Sequence, residues 1–287
     1  MAAAIVICVI LGSLDAVAAT EPMDMINSNK YKTGWQNLKI IDEESEEKAI
    51  KSLVDISPDL AEYIVTFAYG DIYERATFDL KTKEILIVAA LTAMGNAKPQ
   101  LKLHLNGALN AGCSIAEIQE VLLQMSVYSG FPSAVNGMNA LKEVLQKRKG
   151  NGIKDPEGVS QKSTIPKGKT RLDVGISQLD KLKAVDLEKL QQAYKDVSPD
   201  FIQYVLEYGF ADILARPGLD YKTREMATIA ALTALGVTDQ LKLHIRGAIN
   251  LGASKEDIAE IMILMSVFTG FPSAANGTMA LKEVINE

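Results

Sequence analysis

The second half of this 287-residue chain restates the first. Residues 55–95 align without a gap with 196–236, 18 of 41 identical, and residues 101–144 align with 241–284, 26 of 44 identical. Ser57-Pro58-Asp59 returns as Ser198-Pro199-Asp200, Leu101-Lys102-Leu103-His104 as Leu241-Lys242-Leu243-His244, and Gly130-Phe131-Pro132-Ser133-Ala134 as Gly270-Phe271-Pro272-Ser273-Ala274. Each copy is long enough to bury a core of its own, so the chain reads as one domain duplicated. Between the copies, residues 147–171 hold eight basic and two acidic residues with Pro156, Pro166 and four glycines, and lack apolar periodicity. That stretch reads as a solvated linker. The organisation expected is a first domain over 20–146, the linker over 147–171 and a second domain over 172–287.

Helix signals recur in both copies. Ser57 before Pro58 reads as an N-cap with proline at the first helical position, and Ser114 with Glu117 has the spacing of a capping box. Gly95, Gly112, Gly236 and Gly252 follow apolar stretches, as left-handed residues closing helices do. The pattern predicts helices near 43–54, 58–72, 80–94, 100–111, 115–128 and 133–147, with equivalents in the second copy. No stretch alternates with the period of a strand, so the fold class is all-α, with about six helices per copy. Residues 85–94 and 226–235 are apolar nearly all round, which places those two helices at the centre of the packing.

A net charge of −6 gives no general attraction to nucleic acid or to anionic membrane. Two cysteines and two histidines exclude a disulfide framework and zinc sites of the Cys/His type. Residues 1–19 form an apolar run ending Ala16-Val17-Ala18-Ala19, a candidate signal peptide. No Lys or Arg precedes Lys30, and Asp15 interrupts the run short of a membrane span. If the segment is cleaved the protein is periplasmic or secreted; otherwise it is cytoplasmic.

Few residues are left to carry chemistry. His104 shares an apolar helix face with Leu101, Ala108 and Ala111, and His244 with Leu241, Ala248 and Leu251. Gly107 and Gly247 leave space one turn away, for a ligand or for another helix. A buried imidazole needs partners for both ring nitrogens, and Glu84 and Glu225, on the apolar faces of the central helices, qualify. Such a pair is either a proton-transfer group or a structural tie between helices. Arg75 and Arg216 occupy matching loops, where each could clamp a substrate carboxylate or close a helix-end salt bridge. Lys83 and Arg224, just before the glutamates, read as surface charges or partners of those carboxylates. Asn136-Gly137 and Asn276-Gly277 suit close helix packing, and Gly130-Phe131-Pro132 and its twin suit a helix-to-helix corner, lining a pocket with Tyr128 or Phe268.

Taken together, Arg216-Pro217-Gly218-Leu219, Thr223-Arg224-Glu225, Gln240-Leu241-Lys242-Leu243-His244 and Gly270-Phe271-Pro272 resemble the carboxymuconolactone decarboxylase family, within the alkylhydroperoxidase-D-like superfamily. The first copy departs from the pattern with Ala76-Thr77-Phe78 for Pro-Gly-Leu and with Lys83 for the arginine. The superfamily's thiol peroxidases carry a CxxC pair seven and four residues before the histidine. Here those places hold Ala97 and Gln100, then Val237 and Gln240, so disulfide-based peroxide reduction lacks its nucleophile.

The resemblance implies cofactor-independent loss of CO2 from a small carboxylated lactone, 4-carboxymuconolactone. In that reading His244 with Glu225, and His104 with Glu84, act as acid-base pairs, while Arg216 and Arg75 hold a substrate carboxylate. It also implies a homotrimer equivalent to the family's hexameric ring. The alternatives are a decarboxylase acting on a different lactone or oxo acid, and a non-catalytic or small-molecule-binding helical scaffold.

Overall fold

A computed structural model describes residues 28–287; the candidate signal peptide lies outside the described residues. The first copy comprises α1 (Asn29–Val54), α2 (Pro58–Tyr63), which continues as a π-helix over Ile64–Ile72, α3 (Leu80–Met94), α4 (Lys98–Asn110), α5 (Ile115–Tyr128) and α6 (Gly130–Gly150). The second comprises α7 (Arg171–Leu182), α8 (Leu187–Tyr194), α9 (Pro199–Tyr204) with its π-helical continuation Val205–Leu214, α10 (Tyr221–Leu235), α11 (Thr238–Asn250), α12 (Lys255–Phe268) and α13 (Phe271–Ile285). There is no strand among the described residues.

The local signals act largely as their chemistry demands. Ser114 and Glu117 form a reciprocal capping box at α5, and Ser254 with Asp257 does the same at α12. Gly95, Gly112, Gly236 and Gly252 all take positive φ, between 70° and 91°, where a side chain would be strained. Ser57 precedes Pro58 as expected, but its side chain makes no capping bond.

Several boundaries differ from the sequence reading. The helix expected from residue 43 begins at Asn29 and kinks at Asp42, whose backbone leaves helical geometry. Its counterpart in the second copy is broken outright, with Lys183 left-handed between α7 and α8. The helix expected over 58–72 changes to π geometry at Ile64, because i→i+5 bonding carries no side-chain period that distinguishes it in sequence. The linker is not wholly a tether. Residues 147–150 extend α6, and buried Arg148 forks onto Asp155 and also donates to Asn106 and Asn110. The carbonyls of Pro156 and Glu157 accept from the first two backbone N–H groups of α5.

The structural repeat also reaches further than the recognisable sequence repeat. α1 packs on the first π-helix and α7 on the second. In both places a glycine permits the approach, since a Cβ at Gly34 or Gly175 would collide with the carbonyl of Val65 or Leu206.

The central helices α3 and α10 lie against each other, so the two copies share one core. Leu86, Ile87, Ala89 and Ala90 of α3 and Ala227, Ile229, Ala230 and Ala231 of α10 are fully buried there. Apolar surface on every side of a helix can be hidden only in such a position. Small alanines at the crossing let the backbones approach. No helix among the described residues is long and apolar enough to cross a membrane.

Candidate active site

Each histidine meets the glutamate of its own copy. His104 Nδ1 on α4 lies 2.9 Å from Glu84 Oε2 on α3, and His244 Nδ1 on α11 lies 2.7 Å from Glu225 Oε2 on α10. All four residues are buried. A lone carboxylate at these depths would cost several kcal/mol, and the imidazole offsets that cost. Gly107 and Gly247 make the approach possible, for a Cβ at Gly107 would stand 2.9 Å from Glu84 Oε2 and 2.7 Å from Ile41 Cγ2. The space foreseen for a ligand or a helix is thus filled by the carboxylate and by the side chains of Ile41 and Leu182.

Both pairs are roofed by the opposite copy. Phe268, at the end of α12, meets the His104 ring edge-on at 4.9 Å between centroids. Tyr128, at the end of α5, meets His244 in the same way at 5.2 Å. Burial pushes the Tyr128 phenol well above its ordinary value; the charge of Glu225 acts in the same sense, and the Thr228 side chain opposes both. The Gly-Phe-Pro corners follow directly after these aromatics. Gly130 and Gly270 take φ of 86°, while Phe131 rests on Tyr208 and Phe271 on Phe67 of the opposite copy.

The environments of the two carboxylates differ. Tyr73 donates its hydroxyl to Glu84 Oε1 at 2.9 Å and stands 3.4 Å from His104 Nδ1. The equivalent of Tyr73 is Leu214, and Glu225 Oε1 is buried without a hydrogen-bond partner among the described residues. The His104 side chain is 2% exposed and that of His244 9%.

Of the two readings open for the arginines, clamp or salt bridge, the structure shows a salt bridge in each copy, made to the opposite copy. Arg216 forks onto Glu120 of α5 at 2.6 and 2.9 Å, and Arg75 Nε reaches both oxygens of Glu260 on α12 at 2.7 and 2.9 Å. Both guanidinium groups therefore join the copies, as salt bridges rather than as clamps facing the His–Glu pairs. Arg224, which its place in the sequence suggests as a surface charge or a partner of Glu225, is fully buried and donates to Glu120, Gln124 and the Arg216 carbonyl. Lys83 is buried too, with Nζ 2.6 Å from the Tyr73 and Arg75 carbonyls, and burial lowers its pKa. Burial acts to raise the Glu120 pKa, but Arg216 and Arg224 together hold it below the ordinary carboxylate range.

Glu120 and Glu260, Tyr73 and the crossing of Tyr128 and Phe268 to the opposite histidines escaped the sequence reading. The glutamates carried a usable signal, since both stand at matching positions among the apolar residues of α5 and α12. Asn136-Gly137 does serve packing, with Gly137 close to Leu122 and Thr92. Cavities of about 550 and 510 Å³ run along α4 and α6 of the first copy, and neither is lined by a member of a His–Glu pair.

The family model described as the carboxymuconolactone decarboxylase family matches residues 58–143 and 199–283. A 4-carboxymuconolactone decarboxylase from Acinetobacter baylyi is 34% identical over 90 residues, 31% of this chain and 66% of that relative. A nitrosuccinic acid decarboxylase from Metarhizium robertsii is 31% identical over 85 residues, 30% of this chain and 59% of its own length. A longer match, 26% identical over 176 residues, joins 54% of this chain to 62% of peroxisomal protein 2 from Saccharomyces cerevisiae.

Proposed function

The chain belongs to the carboxymuconolactone decarboxylase family, and from that premise we propose that it is a cofactor-independent decarboxylase of a small carboxylated lactone of the 4-carboxymuconolactone type. The observation carrying this reading is the meeting of an imidazole and a carboxylate from separate helices, in each copy, beneath an aromatic ring of the other. The decarboxylase names of two relatives support the reaction class.

Loss of CO2 leaves an electron pair that the unsaturated lactone takes up as a dienolate, and a proton must then reach carbon. With Nδ1 facing the glutamate, Nε2 is the ring nitrogen left to deliver that proton. Glu225 balances the charge of the protonated His244 ring.

The test is ultraviolet absorbance loss on 4-carboxymuconolactone with parallel CO2 detection. Replacing both histidines by Gln lowers turnover at least ~10²-fold if the pairs transfer protons. Wild-type turnover in that double variant refutes the assignment, and CO2 release from another lactone or oxo acid alone reassigns the substrate.

The same reading carries a homotrimer, a ring of three duplicated chains. The matched exposed aromatics Phe131 and Phe271, 62% and 66% exposed, are available to such contacts. Light scattering that shows a stable monomer removes it. Export through residues 1–19 is likewise proposed, and N-terminal sequencing of the mature protein decides it.

A further inference from the structure

We infer that the two copies have divided the work: Tyr73 locks the Glu84–His104 pair as a structural tie, while Glu225–His244 is the working centre, completed by Tyr128 of the first copy as hydrogen-bond donor to the substrate. The inference rests on the decarboxylase reading for its chemistry and on the unequal surroundings of the two carboxylates for its assignment.

In the first pair both glutamate oxygens are engaged by side chains, Oε1 by the Tyr73 hydroxyl and Oε2 by His104. The Phe268 roof brings no polar group to that ring. Glu84 is thus satisfied at both oxygens, and its carboxylate has no acceptor left over for a solute or for a change in the charge of the ring. The second pair is built differently at both points. Leu214 supplies no hydroxyl, so Glu225 Oε1 stays buried and, among the described residues, without a partner, a costly arrangement of the kind that marks functional positions.

The roof over His244 is Tyr128, whose phenol is the one polar group by which the two roofs differ. Its neighbour Thr228 already accepts from Gln124 Nε2 at 2.8 Å, which leaves the Thr228 hydroxyl proton to be given away. The corresponding places in the first pair are Phe268, Ile87 and Leu264, all apolar.

The step balances with these groups alone. The bond from carbon to CO2 breaks and its electron pair enters the lactone as the dienolate. CO2 leaves, a proton moves from His244 Nε2 to carbon, and solvent returns one to the ring. Tyr128 keeps its own proton and donates a hydrogen bond to the enolate oxygen.

Three variants and one spectroscopic titration test the division. Tyr128→Phe lowers kcat about 10²-fold with a much smaller change in KM, because the lost bond strengthens only as the enolate forms. Tyr73→Phe turns over like the wild type. Leu214→Tyr transfers the lock to the second pair and abolishes turnover while circular dichroism stays native.

Because the chain has two histidines, their ring signals can be followed separately by nuclear magnetic resonance. A saturated carboxylated butyrolactone, which cannot lose CO2 by this route, shifts the His244 signals and leaves those of His104 in place; Leu214→Tyr removes the shift. Wild-type kcat in Tyr128→Phe, slowed turnover in Tyr73→Phe, movement of the His104 signals, or movement of neither set overturns the inference. A wild-type chain that turns over no lactone sinks the decarboxylase reading instead, and the titration still distinguishes a locked pair from an open one.

Discussion

The two His–Glu pairs share the same helix-to-helix bond and differ in the side chains around it. Tyr73 bonds the carboxylate of one where Leu214 leaves the other bare, and Phe268 roofs one where Tyr128 roofs the other. The buried helix-to-helix bond therefore does not by itself mark a reactive centre. In the division inferred above, what separates a strut from a proton-transfer pair is whether the second carboxylate oxygen is already satisfied. The ion-pair networks between the copies show the same inequality. Glu120 holds the fully buried Arg224 and Arg216, whose side chain is 12% exposed, whereas Glu260 holds Arg75, whose side chain is 42% exposed.

The networks give the largest expected effect. Glu120→Gln leaves Arg224 and Arg216 without their charge partner and costs about 3–5 kcal/mol in chemical denaturation. Glu260→Gln costs about 1 kcal/mol, since solvent can hydrate Arg75. Equal losses would mean that the two networks are equivalent despite their burial.

Next come the paired glycines. Gly107→Ala drives a methyl into Ile41 and Glu84 and is expected to cost about 1–3 kcal/mol. In Gly247→Ala the new Cβ stands 3.2 Å from both Glu225 Oε2 and Leu182, and a helix-propensity gain of ~1 kcal/mol opposes the crowding. Thermal unfolding of the two variants ranks them, and a reversed order would contradict the tighter fit of the first pair.

A smaller change, about 1–2 kcal/mol, is expected for Tyr73→Phe, which strips the donor from a buried carboxylate oxygen. Denaturant titration that shows no loss would remove Tyr73 as a lock.

The smallest effect concerns acid. Glu120 has a native pKa below its ordinary value of 4.5, so its contribution is present above that value and fades as pH falls through the lowered one. The wild type should lose stability there faster than Glu120→Gln does. Parallel acid limbs would show that these arginines do not hold the carboxylate ionised.

The identical half of the comparison was legible in the sequence, and the different half was not. His104, His244, Glu84 and Glu225 stand on apolar faces in both copies, where an unpaired polar group is too costly to leave, so their pairing followed from periodicity and burial. The all-α architecture and the glycine stops followed from equally local chemistry.

Contacts between the copies were hidden because helix periodicity reports which face is buried and not what covers it. Arg224 looked like a surface charge for that reason, until α10 is seen to bury it against Glu120 and Gln124. The signal for Tyr73 lay in a mismatch, a hydroxyl where the repeat has leucine.

Joining the copies in one polypeptide has a genetic consequence. In an assembly of identical subunits, any exchange of one side chain is written into every pocket at once. Here positions 73 and 214 are separate codons, and tyrosine at one with leucine at the other is a combination that no symmetric dimer of a single-copy chain can hold.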